Sequence, residues 1–182
     1  SAKIESDMQE SKIKLDIGAI TASQEDGRSF LLFLYQEGGG RCLTIPLAPS
    51  DLHALLTNVA PKREERQKKG NTIYDLFAQG LSRSGLQLQE VELVRGEQEN
   101  SFSTLLKLSE GEVMEASFAD GIIMAKICSA PIYVGREVME RYALSSNIDA
   151  ATLLKHQLKE AVKREDFEEA YLIQQRLERM NG

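Results

Sequence analysis

The sequence has no tryptophan, two cysteines, two histidines and four prolines among its 182 residues. His53, His156, Cys42 and Cys128 are too few for nearly every zinc site, which draws on several such ligands. They also give no support to a Cys-His catalytic pair. A metal bound here would have to use carboxylates, which points to magnesium or manganese. The two cysteines are far apart, form no CxxC pattern and have apolar neighbours. The expectation is two reduced core thiols in a cytoplasmic protein. A uniform basic coat is lacking as well. Lys and Arg number 22 against 28 Asp and Glu, a net charge of −6, which leaves room only for a local nucleic-acid-binding patch. No apolar run approaches the ~18 residues of a membrane span; the longest clear one is Phe30 to Tyr35. The polar start, Ser1 to Lys14, has no signal-peptide core and no initiator Met, as in a trimmed start.

With 42% hydrophobic and 27% charged residues, the chain has the composition of an ordinary folded protein. At this size roughly 70% of the unfolded surface can be buried. Ile13, Leu15 and Ile17 alternate with polar neighbours, the pattern of a half-buried strand. Ser29 to Gln36 and Arg41 to Ala48 flank Gly38, Gly39 and Gly40 as a hairpin. Those glycines do not form a phosphate-binding loop, because no GKS or GKT follows and the next segment is a strand. A helix opens at Pro49-Ser50-Asp51, with Leu52, Leu55, Leu56 and Val59 on one face. Pro61 ends it, and Lys62 to Lys69 forms a solvated, basic loop. The next helix starts at Asn71-Thr72, buries Ile73, Leu76, Phe77 and Leu81, and closes at Gly85.

Leu86 to Val94 is an alternating strand with a phase slip near Gln89, the mark of a bulge. Ser101 to Leu108 and Glu112 to Phe118 pair around Ser109-Glu110-Gly111. Ala119 to Ser129 is apolar nearly all round except Lys126, so that helix is buried on most sides. A short strand, Pro131 to Val134, and a small helix, Gly135 to Ala143, follow. The passages 29–60 and 101–129 both run strand, strand, helix, a hint of duplication. After the linker at 144–148, residues 149–182 form a helical hairpin. One stripe is Leu154, Leu158, Ala161 and Val162; the other is Ala170, Ile173, Leu177 and Met180. Two short helices cannot bury both stripes alone, so the hairpin has to dock on something.

These segments carry a resemblance. Ala130-Pro131-Ile132-Tyr133-Val134 with Glu137-Val138, the block Glu115 to Ile122, the block Leu47 to Leu52 and Asn71-Thr72-Ile73-Tyr74-Asp75-Leu76 are similar to blocks of the bifunctional nuclease domain family, which residues 11–143 resemble. Asp120 and Asp75 match the family's pattern. Asp51 stands at a glutamate position, Ala48 at a glycine, Ser117 at an arginine, Ala119 at a serine and Tyr74 at a histidine. Residues 150–180 resemble the UVR motif, a helical hairpin used for protein contacts. Glu165-Asp166-Phe167-Glu168 and Ala170 match its centre, with Gln174-Gln175 in place of its Arg-Asp pair.

The resemblance implies a nuclease that cuts DNA and RNA phosphodiesters with a divalent metal, Mg or Mn. Asp51, Asp75 and Asp120 would be its catalytic residues and metal ligands, each in the first turn of a predicted helix. Arg63, Arg66, Lys68 and Lys69 would hold the nucleic-acid backbone. A structural role competes: Thr72-x-x-Asp75 and Ser117-x-x-Asp120 both have capping-box spacing, and Asp51 favours its helix dipole. His53 lies about 200° around the helix from Asp51 and cannot share its site. Tyr74 suits either half-buried packing or a phosphate contact, and Lys126 either snorkels or sits by an acidic pocket. The expected fold is α+β: a mixed, mostly antiparallel sheet with packed helices, plus a C-terminal α-helical hairpin. The alternative function is a non-catalytic relative that works through the hairpin, docked on a protein partner or on a second copy in a homodimer.

Overall fold

A computed structural model describes residues 11–22, 29–38, 40–59, 70–98, 101–143, 154–155, 157–159 and 161–181. The fold is α+β, as the sequence pattern predicts. Strands β1 (Lys12–Ala22), β2 (Phe30–Gln36) and β3 (Cys42–Leu47) are followed by helix α1 (Pro49–Asn58) and helix α2 (Ile73–Arg83). Then come β4 (Leu88–Arg95), β5 (Phe102–Leu108), β6 (Val113–Ser117), α3 (Phe118–Cys128), β7 (Ile132–Gly135), α4 (Arg136–Tyr142) and α5 (Phe167–Asn181). The seven strands form one sheet in the order β3-β2-β1-β7-β4-β5-β6. Every pairing is antiparallel except β4 with β7. Two three-stranded meanders therefore flank β7, and each leads into a helix, α1 or α3. The duplication hinted at by the sequence is present in the topology.

Local chemistry accounts for the breaks in regularity. The register of β4 against β5 shifts between Leu88 and Glu90, which places the bulge at the predicted Gln89. A second shift lies between Ile17 and Ile20 of β1. Here a Cβ on Gly18 would collide with the Tyr35 ring and the Phe33 carbonyl, so only glycine allows the ring to lie across β1.

One sheet face carries the main core. Ile13, Leu15, Leu32, Leu34, Val91, Leu93 and Leu106 pack there against α1, α3 and α4. The opposite face is divided. At the β2 end, Phe33, Tyr35 and Cys42 pack against Leu154, Ala161, Ala170, Ile173 and Leu177 of the C-terminal hairpin. The hairpin therefore docks on this chain's own sheet. At the β4 end the same face is polar: Lys12 Nζ lies 3.3 Å from Glu90 and 3.9 Å from Glu92, and Lys107 Nζ bonds Glu92 at 2.6 Å. The unbroken apolar run Phe30 to Tyr35 is thus a strand buried on both faces. Val162, predicted in the inner stripe, is exposed, because Leu154 and Ala161 make the contact and turn it outward. The linker 144–148 lies outside the described residues. Neither cysteine is in a disulfide; Cys42 is buried and Cys128 half-buried. Among the described residues no helix is long and apolar enough to cross a membrane.

Arg176 fastens the hairpin. Its guanidinium donates to the Ile17 carbonyl at 2.7 Å and lies 5.5 Å from the centre of the Tyr35 ring. Losing a charged hydrogen bond costs about 1.5–3 kcal/mol. We expect Arg176→Ala to speed amide hydrogen exchange in α5 by about tenfold or more, with β4 unchanged. Equal protection of α5 in the two proteins would show that the apolar contacts alone hold it.

Candidate active site at the starts of three helices

Asp51, Asp75 and Asp120 each occupy the first turn of a helix, α1, α2 and α3 respectively. Their surroundings differ. Asp75 completes a capping box: its Oδ2 accepts from the Thr72 backbone N–H and the Thr72 hydroxyl, both at 2.9 Å, while its own N–H donates to Thr72 Oγ1 at 3.3 Å. It borders a groove of about 1090 Å³, together with Lys126, the end of α1 and Asp166, Glu168 and Glu169 of the hairpin. Lys126 reaches solvent there, as a long charged side chain on a mostly buried helix should. Asp51 and Asp120 do not line that groove.

Asp120 meets Tyr74 instead. The Tyr74 hydroxyl donates to Asp120 Oδ1 at 2.7 Å, joining the starts of α2 and α3. The Tyr74 phenol is pushed up to about 12, first by burial, then by this hydrogen bond, then by the negative charges of Asp120 and Asp51. The structure thus bonds Asp120 to Tyr74 and leaves Asp75 in its own cap, while Asp51 acts on the phenol only through its negative charge. Ser117 does cap α3, its hydroxyl accepting from the Asp120 N–H at 3.3 Å. That bond uses the backbone of Asp120, so the carboxylate remains available. His53 is exposed on α1.

The pairing requires a change to the predicted face of α2. Ile73 and Leu76, expected to be buried, are 73% and 51% exposed, and Phe77 is also exposed. Tyr74 and Ala78 pack against the core in their place, and Leu81 is buried. The helix is turned so that Tyr74 faces α3, and the stripe through Ile73, Leu76 and Phe77 points outward. On α1, Leu55 is buried as predicted while Leu56 is 47% exposed. Asn58 is buried instead, with its amide nitrogen donating to the Ala54 carbonyl at 2.8 Å.

The height of Asp120 is set by the next residue. A Cβ on Gly121 would clash with the Thr104 side chain. Thr104 is fully buried, and its hydroxyl lies 3.1 Å from both the Ala116 and Ser117 carbonyls. Rotating it away would forfeit the hydrogen bond to these carbonyls. Alanine gains about 1 kcal/mol in helix propensity, but overpacking costs about 1–3 kcal/mol.

The chain belongs to the bifunctional nuclease domain family, whose model matches residues 32–147, more than half of the sequence. No curated protein was found to match it. Arg63, Arg66, Lys68 and Lys69 lie outside the described residues. Sequence reading missed a second basic group, Arg95 and Arg141 around Tyr142, because its members come from separate elements.

Two outcomes follow from this geometry. Gly121→Ala should lower stability by up to about 2 kcal/mol net in denaturant unfolding, and a higher midpoint would refute the tight packing. A raised tyrosine pKa favours the neutral phenol in the folded state, so its contribution to stability is complete below pH about 10 and disappears as pH rises toward 12. In an ultraviolet titration of wild type against Tyr74→Phe, we expect Tyr74 to ionise near pH 12. Asp120→Asn should lower that value without restoring the ordinary one, since burial is the larger cause.

Proposed function

We propose that the chain is a divergent nuclease that hydrolyses DNA and RNA phosphodiesters, with Asp120, Asp51 and Tyr74 at its reacting centre. The observation that carries this reading is the 2.7 Å bond between Tyr74 and Asp120, formed between two segments that resemble family blocks. All three groups offer oxygen, the donor type preferred by Mg or Mn. Among the described residues, no three His, Cys, Asp or Glu side chains gather into a group able to hold a metal. An ion would therefore be shared with the substrate phosphate, the usual mode for magnesium. Asp120 and Asp51 would hold it, and it would supply charge neutralisation and an activated water.

The chain's own groups have narrower tasks. Tyr74, neutral at ordinary pH, orients Asp120 through Oδ1 and leaves Oδ2 free of that bond. The N-termini of α1 and α3 favour a phosphate through their helix dipoles. Arg63, Arg66, Lys68 and Lys69 are proposed to contact the backbone. Asp75 we place outside the reacting pair, as the cap that fixes the start of α2. A cytoplasmic location and a homodimer belong to the same proposal.

A second reading is favoured by the hairpin surface. Phe167, Tyr171 and Leu172 remain exposed on α5, as a UVR-like hairpin that binds a protein partner would require. In that case the nuclease scaffold is retained without chemistry. The two readings separate in a cleavage assay on single-stranded DNA, double-stranded DNA and RNA with magnesium, manganese or EDTA. We expect metal-dependent cutting that falls by about 100-fold or more in Asp120→Asn and survives in Asp75→Asn. Cutting that is insensitive to Asp120→Asn, or no cutting by the folded protein, would reject the proposed centre.

A further inference from the structure

Arg95 at the end of β4, Phe102 at the start of β5, and Arg141 and Tyr142 at the end of α4 converge on one point. The guanidinium carbons of Arg95 and Arg141 lie 5.3 and 5.5 Å from the centre of the Tyr142 ring. The Phe102 ring meets the same tyrosine edge-on, at 5.6 Å and 80°. Both arginines are exposed, while the two rings are half-buried against the main core. The ion pairs among the described residues involve neither guanidinium. Two like charges are therefore held against one ring, with no ion pair to either among the described residues, on a chain with a net charge of −6. Mutual repulsion opposes this arrangement, and the face of the ring offsets only part of it. An anion would relieve it.

The strand register locates the cluster. Arg95 pairs with Phe102, and the next residue, Ser103, pairs with Ser117. Ser117 is the N-cap of α3, three residues before Asp120. Adjacent strands are about 4.8 Å apart, so the backbone of Arg95 lies roughly 10 Å, two strand spacings, from the segment that leads into Asp120. That is a reach of one or two nucleotides along an extended strand.

We propose that Arg95 and Arg141, held in place by Tyr142 and Phe102, grip the phosphodiester backbone of the nucleic acid on its way to Asp120. Guanidinium forks match phosphate oxygens in pairs, and packing against the tyrosine lowers the ordering cost of each side chain. The choice of nucleic acid as ligand rests on the nuclease reading above; the anion site itself rests on the convergence of the two arginines.

The test is binding of a fluorescently labelled single-stranded oligonucleotide by anisotropy, in EDTA so that nothing is cut, across a salt series. Full-length wild type is compared with Arg95→Ala, Arg141→Ala, the double variant and Arg141→Lys. Arg179→Ala, on the hairpin across the sheet, serves as control, and thermal melts confirm that each variant folds. We expect each alanine variant to bind about tenfold more weakly. The slope of log affinity against log salt should flatten by about 0.7 for each phosphate that is no longer neutralised. Arg141→Lys should keep the slope but lose affinity, since it retains the charge without the fork. The control should match wild type. Affinity and slope unchanged in the double variant, or no binding by wild type at low salt, would overturn the proposal. Complete displacement by inorganic phosphate at an ionic strength that leaves binding intact in chloride would also overturn it, by indicating a free-phosphate site. Binding that behaves as expected in a protein that never cuts would reject the nuclease chemistry and leave the backbone grip standing. Asp120-dependent cutting with both arginines dispensable would do the reverse.

Discussion

The close approach of α3 to the sheet is the constraint from which the rest of the site follows. Seven of its eleven residues are buried, and it takes both α1 and α2 as neighbours. A helix surrounded this way has little freedom to slide. Gly121 against Thr104 removes what remains, because the threonine hydroxyl is committed to the carbonyls where β6 turns into α3. The start of α3 is thus fixed in height and in direction. Asp120 inherits that position, and Tyr74 reaches it from α2 only because α2 packs on the same helix. The site is a consequence of one tight helix-on-sheet packing.

The two faces of the sheet divide the work. The helix-covered face is mostly apolar. The other face is apolar only at β2 and β3, where the hairpin sits, and carries Lys12, Glu90, Glu92 and Lys107 in a mutually neutralising row elsewhere. This explains why β2 is a continuous apolar run while β4 alternates. It also explains how a short helical hairpin can be stable. Its inner stripe is buried on sheet residues that would otherwise be exposed, and a single charged hydrogen bond from Arg176 to the bulge at Ile17 sets its register.

Much of this was legible in the sequence, since period and punctuation report backbone state directly. The β2-β3 hairpin and the β5-β6 pair, the bulge at Gln89, the burial of most of α3 and the capping box at Thr72 and Asp75 are local properties. What was not legible depended on side chains from distant segments. The stripe Ile73, Leu76, Phe77, Leu81 has ideal helical spacing, yet the helix turns to satisfy Tyr74, because a tyrosine hydroxyl beside a carboxylate settles orientation where apolar spacing allows two answers. The hairpin's need for a docking surface was evident from its stripes, but the surface was not, because β2 does not announce that its second face is free. Arg95, Phe102, Arg141 and Tyr142 have no sequence pattern at all; only the register of β4 with β5 and the direction of α4 bring them together.

The chemistry open to the proposed centre is limited by what stands at position 74. An imidazole, found there in the resembling family, exchanges protons near neutral pH. A phenol pushed up to about 12 does not; it can donate a hydrogen bond to a phosphate oxygen or to Asp120, but it is a poor base at any physiological pH. On the proposed reading, proton transfer then falls to the carboxylates and to water, and Tyr74 contributes by position. An ion held by the two carboxylates and shared with the substrate would still stabilise the negative charge that develops on the phosphoryl oxygens, which is the larger demand in such a reaction. The substitution at Tyr74 therefore predicts a change in pH dependence more than an end to catalysis. Erosion of a signature and loss of an activity are separate events: on the resemblance, Asp75 and Asp120 are kept, while an arginine position is Ser117 and a histidine position is Tyr74.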